Sequence, residues 1–258
     1  MRQTAAESAL TFTCNICGRG STVPRSQLTR EAVSCNGCGS SVRFRAIVHT
    51  LSTALFGRSV PLIDFPVRPD LVGVGLSDWN GYAGVLAARL GYRNTFYHEE
   101  PRLNIGEPPP ELLGTLDFLV ASDVLEHVAP PVERAFLGSF ELLRPGGVLV
   151  LTTPYVPDGE TIEHFPELHE HEVVDFRGRK VLLNRTADGR WQVFDELAFH
   201  GGEGETLEMR VFARAALVRH LRVAGFEEIV ECRDGYEPYG IVWLVPWSLP
   251  FLARRGRG

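Results

Sequence analysis

Two apolar runs near the middle of the chain are separated by a helical stretch and a Pro-Gly-Gly turn. The first run spans 116–121 and ends in Ser122 and Asp123, and the second spans 148–151 and leads into 152–154. A short apolar run that stops abruptly at polar residues is typical of a buried strand, and the glycine turn ends the helix. The pattern predicts a strand, a helix and a parallel strand. Because ligands bind outside the carboxyl ends of strands in an open α/β sheet, we expect Ser122 and Asp123 to line a ligand crevice.

The same alternation of strand and helix patterns extends on both sides of this unit. The predicted strands are 71–76, 93–101, 226–232 and 240–245, and the predicted helices are 82–90 and 212–224. Gly225 follows the last helix, and a glycine commonly ends a helix in the left-handed conformation. Strands that alternate with helices predict an α/β fold in which helices cover both faces of a sheet. A chain of 258 residues can form one such core and a small additional module.

The residues around the expected crevice carry a family resemblance. The sequence Asp-Val-Leu-Glu-His-Val at 123–128, followed by Leu-Leu-Arg-Pro-Gly-Gly at 142–147, resembles the second half of a class I S-adenosylmethionine-dependent methyltransferase of the small-molecule type. The resemblance covers about 65–155 and 210–246. It implies a Rossmann-like sheet with helices on both faces, a last strand antiparallel to its neighbours, and S-adenosylmethionine as the methyl donor.

The resemblance also implies where the donor binds. Around Gly75, the family usually has an acidic residue and a further glycine at the positions that Gly73 and Ser77 occupy here. Glycine lets the backbone approach a ligand closely, so Ser77 would narrow that space slightly. Glu100, or else Glu99, would accept hydrogen bonds from ribose hydroxyls, unless both are solvated loop residues. The full set, with Asn104 and Ile105 near the adenine ring, is Gly73, Gly75, Ser77, Asp78, Glu99, Glu100, Asn104, Ile105, Ser122, Asp123 and His127.

Four cysteines near the amino terminus form two Cys-x-x-Cys pairs. They are Cys14, Cys17, Cys35 and Cys38. Four thiolates at this spacing predict a closed, tetrahedral, structural zinc site. Disulfides or a redox pair are the alternatives, but the first residues do not resemble a secretory signal. Cys232 stands alone and is expected to be a buried apolar residue. We therefore predict a zinc ribbon over 1–50, followed by a methyltransferase domain over 51–258.

Charge differs sharply between these two parts. Residues 1–60 contain seven arginines, Glu7 and Glu31, for a net charge of +5, whereas the remainder has 19 basic and 30 acidic residues, for a net charge of −11. Arg43 and Arg45 follow the second cysteine pair and are the candidates to contact an anionic partner, unless they only balance the acidic domain. Since no apolar stretch approaches the roughly 20 residues that span a bilayer, we expect no membrane insertion and a cytoplasmic location. The oligomeric state stays open.

A long insertion, about 155–210, begins directly at the expected crevice. Long connections of this kind are usually lids or substrate loops. Within it, 179–194 alternates and turns at Asp188-Gly189, which predicts a hairpin. Four of the eight histidines of the chain lie in this insertion: His164, His169, His171 and His200.

The donor that the resemblance implies carries an electrophilic methyl group. Methyl transfer then requires alignment of acceptor, methyl and sulfur, with water excluded. A hydroxyl acceptor also needs a general base, for which a histidine is well matched. The candidate bases are His164 or His200, then His169, with Glu163 or Glu208 orienting the imidazole. We expect O-methylation of a small hydroxylated acceptor, such as a sugar, a glycosylated metabolite or another natural product; an amine or an enolisable carbon also fits.

Two other functions remain open at this point. The first is methylation of ribosomal or transfer RNA, in which the zinc module would bind the RNA. The +5 module favours it and the −11 domain opposes it, because a polyanion would have to lie against an acidic crevice. The second is a non-catalytic binding or scaffold protein that has kept the fold. The departures from the family motif at Gly73 and Ser77 favour this alternative.

Overall fold

The computed structural model describes residues 8–200 and 206–257, and the side chain of His200 lies outside that description. The helices are α1 (Val42–Phe56), α2 (Asn80–Arg89), α3 (Glu133–Leu142) and α4 (Arg214–Ala224). The strands are β1 (Ala9–Thr13), β2 (Gly20–Pro24), β3 (Arg68–Leu76), β4 (Leu90–Thr95), β5 (Leu116–Ser122), β6 (Leu143–Thr152), β7 (Tyr155–Val156), β8 (Ile162–Glu163), β9 (Glu170–Phe176), β10 (Arg179–Arg185), β11 (Trp191–Phe194), β12 (Phe199–His200), β13 (Thr206–Leu207), β14 (Arg210–Ala213), β15 (Phe226–Glu231) and β16 (Phe251–Arg255).

The central sheet has the strand order β15-β16-β6-β5-β3-β4. Strands β4, β3, β5 and β6 are parallel, whereas β16 is antiparallel to both β6 and β15. The reversed strand lies one position in from the edge, as the resemblance implies. The predicted Rossmann-like α/β sheet is therefore confirmed.

The last strand lies later in the chain than the sequence analysis predicts. It is β16, and 240–245 is not a strand. Gly240 has a φ of +66° after a short 3-10 turn, and the ring of Phe12 fills the space beside it. This segment therefore packs against the amino-terminal hairpin instead of entering the sheet. The alternation of buried Phe251 and Ala253 with half-buried neighbours suits the sheet position better.

Alternate residues of the central strands face opposite helical layers. On β5, Phe118 and Val120 belong to the core shared with α1 and α2, and Leu119 and Ala121 belong to the core shared with α3 and α4. Successive side chains of a strand point to opposite faces, so a strand buried on both faces is apolar throughout. This burial explains the uninterrupted apolar runs in the sequence.

The amino-terminal module is a β1–β2 hairpin with the cysteine pairs beside it. Its core is continuous with α1, and α1 crosses the predicted boundary at residue 50. The division into two domains stays a prediction. Among the described helices, none combines the length and the apolar composition that crossing a membrane would need.

The insertion forms small sheets at the carboxyl edge of the central sheet. Strands β9, β10 and β11 are antiparallel, and the predicted turn between β10 and β11 contains Gly189 at a φ of +87°. Strand β14 lies between β7 and β8. The Met209 N–H donates to the Glu126 carbonyl at 2.8 Å, so the insertion contacts the turn that follows β5.

Candidate functional site

The carboxyl ends of β5 and β6 place two polar residues side by side, as the sequence predicts. Asp123 directly follows β5, and the Thr152 hydroxyl at the end of β6 donates to Asp123 Oδ1 at 2.9 Å. Asp123 has a φ of +53°, a left-handed conformation that is unusual for a residue other than glycine. Such strained positions often occur at functional sites and need support from their surroundings.

That support comes from two arginines of the amino-terminal part. Arg30 Nη1 and Nη2 donate to the two carboxylate oxygens of Asp123 at 2.9 and 2.6 Å. Arg43 Nη1 donates to Ser122 Oγ at 2.5 Å, and its Nε lies 3.4 Å from Asp123 Oδ2. Burial would raise the pKa of Asp123, but the hydrogen bonds and charge of Arg30 hold that pKa below its ordinary value.

A second carboxyl group lies buried beside Asp123. Glu126 is fully buried, its Oε2 accepts a hydrogen bond from the Thr153 hydroxyl at 2.9 Å, and its Oε1 has no hydrogen-bond partner among the described residues. Burial, reinforced by the charge of Asp123, raises the pKa of Glu126 from 4.5 to about 8. Glu126 is therefore mainly uncharged at neutral pH. Sequence reasoning did not single it out, although it belongs to the motif that carries the resemblance.

The predicted glycine turn after β3 differs from expectation. Gly73 and Gly75 lie inside the strand, where the ring of Phe118 and the polar atoms of Tyr92 and Asp78 occupy the space of their missing side chains. The space beside each glycine is therefore filled by other side chains, and donor binding at Gly73 and Gly75 stays a prediction. The turn begins at Ser77, which has a φ of +54°.

The Asp78 side chain turns inward, away from solvent. The Tyr82 and Tyr92 hydroxyls each donate to its carboxylate at 2.7 Å, and the residue is 4% exposed. Burial raises the pKa of Asp78 to about 7, against the effect of the two tyrosine hydrogen bonds. Its carboxylate is thus a structural group. The main chain beside it is also hydrogen-bonded within the protein, because the Ser77 N–H donates to the Thr95 carbonyl at 2.7 Å and the Asp78 N–H donates to Asn94 Oδ1 at 2.9 Å.

The candidates after β4 lie apart from one another. The strand ends at Thr95, so Glu99 and Glu100 lie in the exposed segment beyond it, where Glu100 Oε2 accepts the Arg102 N–H at 3.0 Å. Asn104 Oδ1 accepts the N–H of Gly106 at 3.0 Å. Ile105 is 5% exposed and belongs to the core under α3, so its side chain is not free to stack on an adenine ring.

The four candidate metal ligands come together as predicted. The ligand sulfurs of Cys14, Cys17, Cys35 and Cys38 all lie within 4.8 Å of one another. The Cys14–Cys38 and Cys17–Cys35 sulfur distances are 3.7 and 3.6 Å, and a tetrahedron with metal–sulfur bonds of about 2.3 Å has edges of about 3.8 Å. The N–H groups of Ile16 and Gly37 donate to Cys14 and Cys35 sulfurs. The cluster therefore fits a tetrahedral metal ion.

Two arginines that follow the second cysteine pair have different surroundings. Arg45 is fully buried, donates to Ser40, Ser34 and Gly240, and lies over the ring of Phe12. The expectation that it contacts an external anionic partner is therefore wrong. Arg43 instead contacts Ser122 and Asp123 at the carboxyl end of β5. The single lone cysteine, Cys232, is half-buried and its sulfur accepts a hydrogen bond from Thr50.

The insertion distinguishes the candidate histidines from one another. His164 Nε2 lies 3.0 Å from Glu208 Oε1, and both residues line a cavity of about 340 Å³ with Phe165 and Phe194. Glu163 instead pairs with the buried guanidinium of Arg210. Glu208 therefore is the residue that can orient the imidazole.

The other candidate histidines have different surroundings. His169 and His171 are exposed at the start of the β9–β10–β11 sheet. His200 lies in β12, with its side chain outside the described residues. His127 Nδ1 lies 3.0 Å from the Leu207 carbonyl, so this candidate for donor binding also joins the β5 turn to the insertion.

No protein family model matches this chain, and no curated protein matches it. Several solved structures are similar to it. An amino pentose methyltransferase from Micromonospora echinaspora, solved with S-adenosylmethionine, is 18% identical, with a TM-score of 0.44, over 84% of this chain and 92% of that chain. A sugar N-methyltransferase from a Streptoalloteichus species is 14% identical, with a TM-score of 0.46, over 83% and 86%. A carbon methyltransferase is 13% identical, with a TM-score of 0.49, over 84% and 56%.

The fold follows from the strand order. Four parallel strands, the reversed β16 beside them and β15 at the edge place Asp123 at the carboxyl end of the sheet. This arrangement is the Rossmann-like class I methyltransferase fold.

Proposed function

We propose that this chain is an S-adenosylmethionine-dependent methyltransferase that methylates a hydroxyl group of a small polar acceptor, such as a sugar, a glycosylated metabolite or another natural product. One observation carries the proposal: the segment that carries the His164–Glu208 pair contacts the turn that follows Asp123. The N–H of Met209, the residue after Glu208, donates a hydrogen bond to the carbonyl of Glu126. Glu126 lies three residues after Asp123. A ligand crevice and a proton acceptor thus lie on contacting segments.

In this proposal the donor lies across the ends of β3, β4 and β5. The main chain at Ser77, the carboxylate of Glu100 and the Ser122–Asp123 pair would contact it. Bound S-adenosylmethionine would supply an electrophilic methyl group on a sulfonium. The protein then has to align the acceptor oxygen with that methyl group and keep water out, which requires positioning more than bond-making by side chains.

The proposed general base is His164. When Glu208 accepts a hydrogen bond from Nε2–H, the other ring nitrogen, Nδ1, carries the lone pair and can accept the hydroxyl proton. The methyl group bonds to the acceptor oxygen, the donor becomes a neutral thioether, and the proton moves to His164. The aromatic rings and carboxylates around this cavity suit a hydroxyl-rich ligand better than a polyanion.

Nucleic acid is the less favoured acceptor. The negative charge of the residues after 60 opposes a polyanion, and burial of Arg45 removes one of the two cations proposed to contact it.

We also propose that the cysteine cluster holds one structural Zn²⁺. Four thiolates fill all four positions of a tetrahedral ion and leave none for a substrate, so the ion would stabilise the hairpin without entering the reaction. The neighbouring N–H···S bonds would stabilise the thiolates.

A methyl-donor consumption assay over sugar, phenol, amine and RNA acceptors tests the reaction. His164→Ala should lower turnover on an alcohol about 10²- to 10⁴-fold while leaving binding of S-adenosylhomocysteine unchanged. His171→Ala is the matched control, because His171 is an exposed histidine of the same insertion. His169→Ala and His200→Ala complete the set.

Three outcomes would contradict parts of the proposal. Methylation of RNA alone would overturn the acceptor class. Full turnover in all the His164, His169 and His200 variants would overturn the base. Absence of binding to S-adenosylmethionine and S-adenosylhomocysteine in calorimetry would favour a scaffold protein.

A further inference from the structure

Two arginines from outside the parallel sheet form part of the crevice wall. Arg30 lies in sequence between the two cysteine pairs. Its Nε donates to the Ser248 carbonyl at 2.9 Å, its other two nitrogens donate to Asp123, and Nη1 also donates to Glu31. The Arg30 and Arg43 side chains are only 16% and 14% exposed. They are therefore committed to the crevice and are not surface cations available to a partner.

The charges of this cluster are balanced within the protein. The positive groups are Arg30 and Arg43, and the negative groups are Asp123 and Glu31, which accepts three hydrogen bonds from Arg43 at 2.8 to 3.0 Å. Glu126, next to them, is mainly uncharged at neutral pH because its pKa is about 8. A simple anion entering here would meet the carboxylate of Asp123, and a simple cation would meet the two guanidinium groups.

A zwitterion suits this cluster better than either ion. Its carboxylate can replace Asp123 as the acceptor for the guanidinium groups, and its ammonium group can pair with the released Asp123 carboxylate. Each charge then exchanges one partner for another. No buried charge is left unpaired, and the free-energy cost of an unpaired buried charge is avoided. Guanidinium groups also match the planar geometry of a carboxylate in two parallel hydrogen bonds.

We propose that Arg30 and Arg43 bind the α-carboxylate of the methyl donor and that Asp123 binds its α-ammonium group. The assignment rests on the proposed function, which places the donor at the end of β5. It makes the cysteine module a working part of the donor site, since the segment between its hairpin and α1 supplies Arg30.

The test compares two ligands that differ at the amino-acid end. S-adenosylhomocysteine has the zwitterionic end, and 5′-methylthioadenosine keeps the adenosine and thioether but lacks it. Calorimetry with the full chain gives both dissociation constants for the wild type, Arg30→Gln, Arg43→Gln and Arg25→Gln. Arg25 is the matched control, because it also joins the amino-terminal part to the rest of the chain, through Glu237 at 2.7 Å, but does not contact Asp123.

We expect Arg30→Gln and Arg43→Gln to weaken S-adenosylhomocysteine binding about ten- to hundredfold, the range for a lost hydrogen bond to a charged group. Their affinity for 5′-methylthioadenosine should stay within about twofold, because that ligand lacks the carboxylate. Arg25→Gln should bind both ligands as the wild type does.

Four results would overturn the assignment. Unchanged S-adenosylhomocysteine affinity in both crevice variants would mean that these arginines do not contact the amino-acid end. An equal loss for both ligands would mean that they only support the fold, which their thermal midpoints would then also report. A wild-type protein that binds neither ligand would contradict the proposed function as well, whereas one that binds only 5′-methylthioadenosine would contradict this assignment alone.

Discussion

The buried carboxyl of Glu126 makes the stability of the protein depend on pH in an unusual direction. Glu126 is fully buried, and one of its oxygens has no hydrogen-bond partner among the described residues. The change that tests this is Glu126→Gln, which keeps the size of the side chain and removes its titration. Replacing the carboxyl with an amide also changes the free energy of unfolding by an amount that does not depend on pH. The informative quantity is therefore the slope of the free energy of unfolding against pH.

The magnitude follows from the difference between the two pKa values. The pKa of Glu126 rises from 4.5 to about 8 in the folded protein, and each unit corresponds to about 1.4 kcal/mol, so the upper limit is about 5 kcal/mol. Below 4.5, Glu126 is protonated in both states, and the stabilisation of its neutral form is fully present. Between 4.5 and 8 the unfolded chain binds fewer protons, so the free energy of unfolding falls as pH rises.

Urea unfolding at several pH values between 4.5 and 8.5 measures this dependence. The free energy of unfolding of the wild type should fall relative to that of Glu126→Gln across this range, by several kcal/mol. Glu111→Gln is the control, because Glu111 is exposed and its change should leave the pH dependence of the wild type intact. Parallel curves for the wild type and Glu126→Gln would refute the reasoning.

Three further predictions concern the metal, the donor and the packing of β3. Cys35→Ser or chelation should release one zinc ion per chain, measured by elemental analysis, and should destabilise the amino-terminal hairpin, because metal binding and folding are coupled in such sites. Glu100→Ala should weaken S-adenosylhomocysteine binding about tenfold or more in calorimetry; unchanged affinity in both this variant and Glu99→Ala would remove the ribose assignment. Gly75→Ala should lower the thermal midpoint clearly, because the added carbon would lie 2.0 Å from the hydroxyl of Tyr92; a wild-type midpoint would contradict that packing.

Local patterns in the sequence determined those structural elements that form from residues close together in the chain. The apolar run before Ser122 has to be a strand, because it is buried on both faces and ends in polar residues. The spacing within each Cys-x-x-Cys pair suits a tight turn whose two sulfurs can bind one metal ion. The hairpin turn at Gly189 likewise needs only a residue that tolerates a positive φ. None of these conclusions requires knowledge of distant contacts.

Only the tertiary structure decided which of two candidate segments forms the last strand of the sheet. It also decided which polar groups contact one another. The segment 240–245 is the more apolar of the two, yet β16, which contains two arginines, completes the sheet, while Gly240 packs against Phe12. The pairing of Arg30 with Asp123 joins residues 93 positions apart, so no local pattern could indicate it.

The same reason applies to the titrating groups and the candidate base. Glu126 has a raised pKa because of burial by the whole fold, and Asp78 turns inward because two tyrosines from separate elements donate to it. Among the histidines whose side chains are described in the insertion, His164 differs because Glu208 lies 44 positions later in sequence but 3.0 Å away. Sequence periodicity predicted the central buried strands, whereas the partners of each charge depend on contacts that only the folded chain brings together.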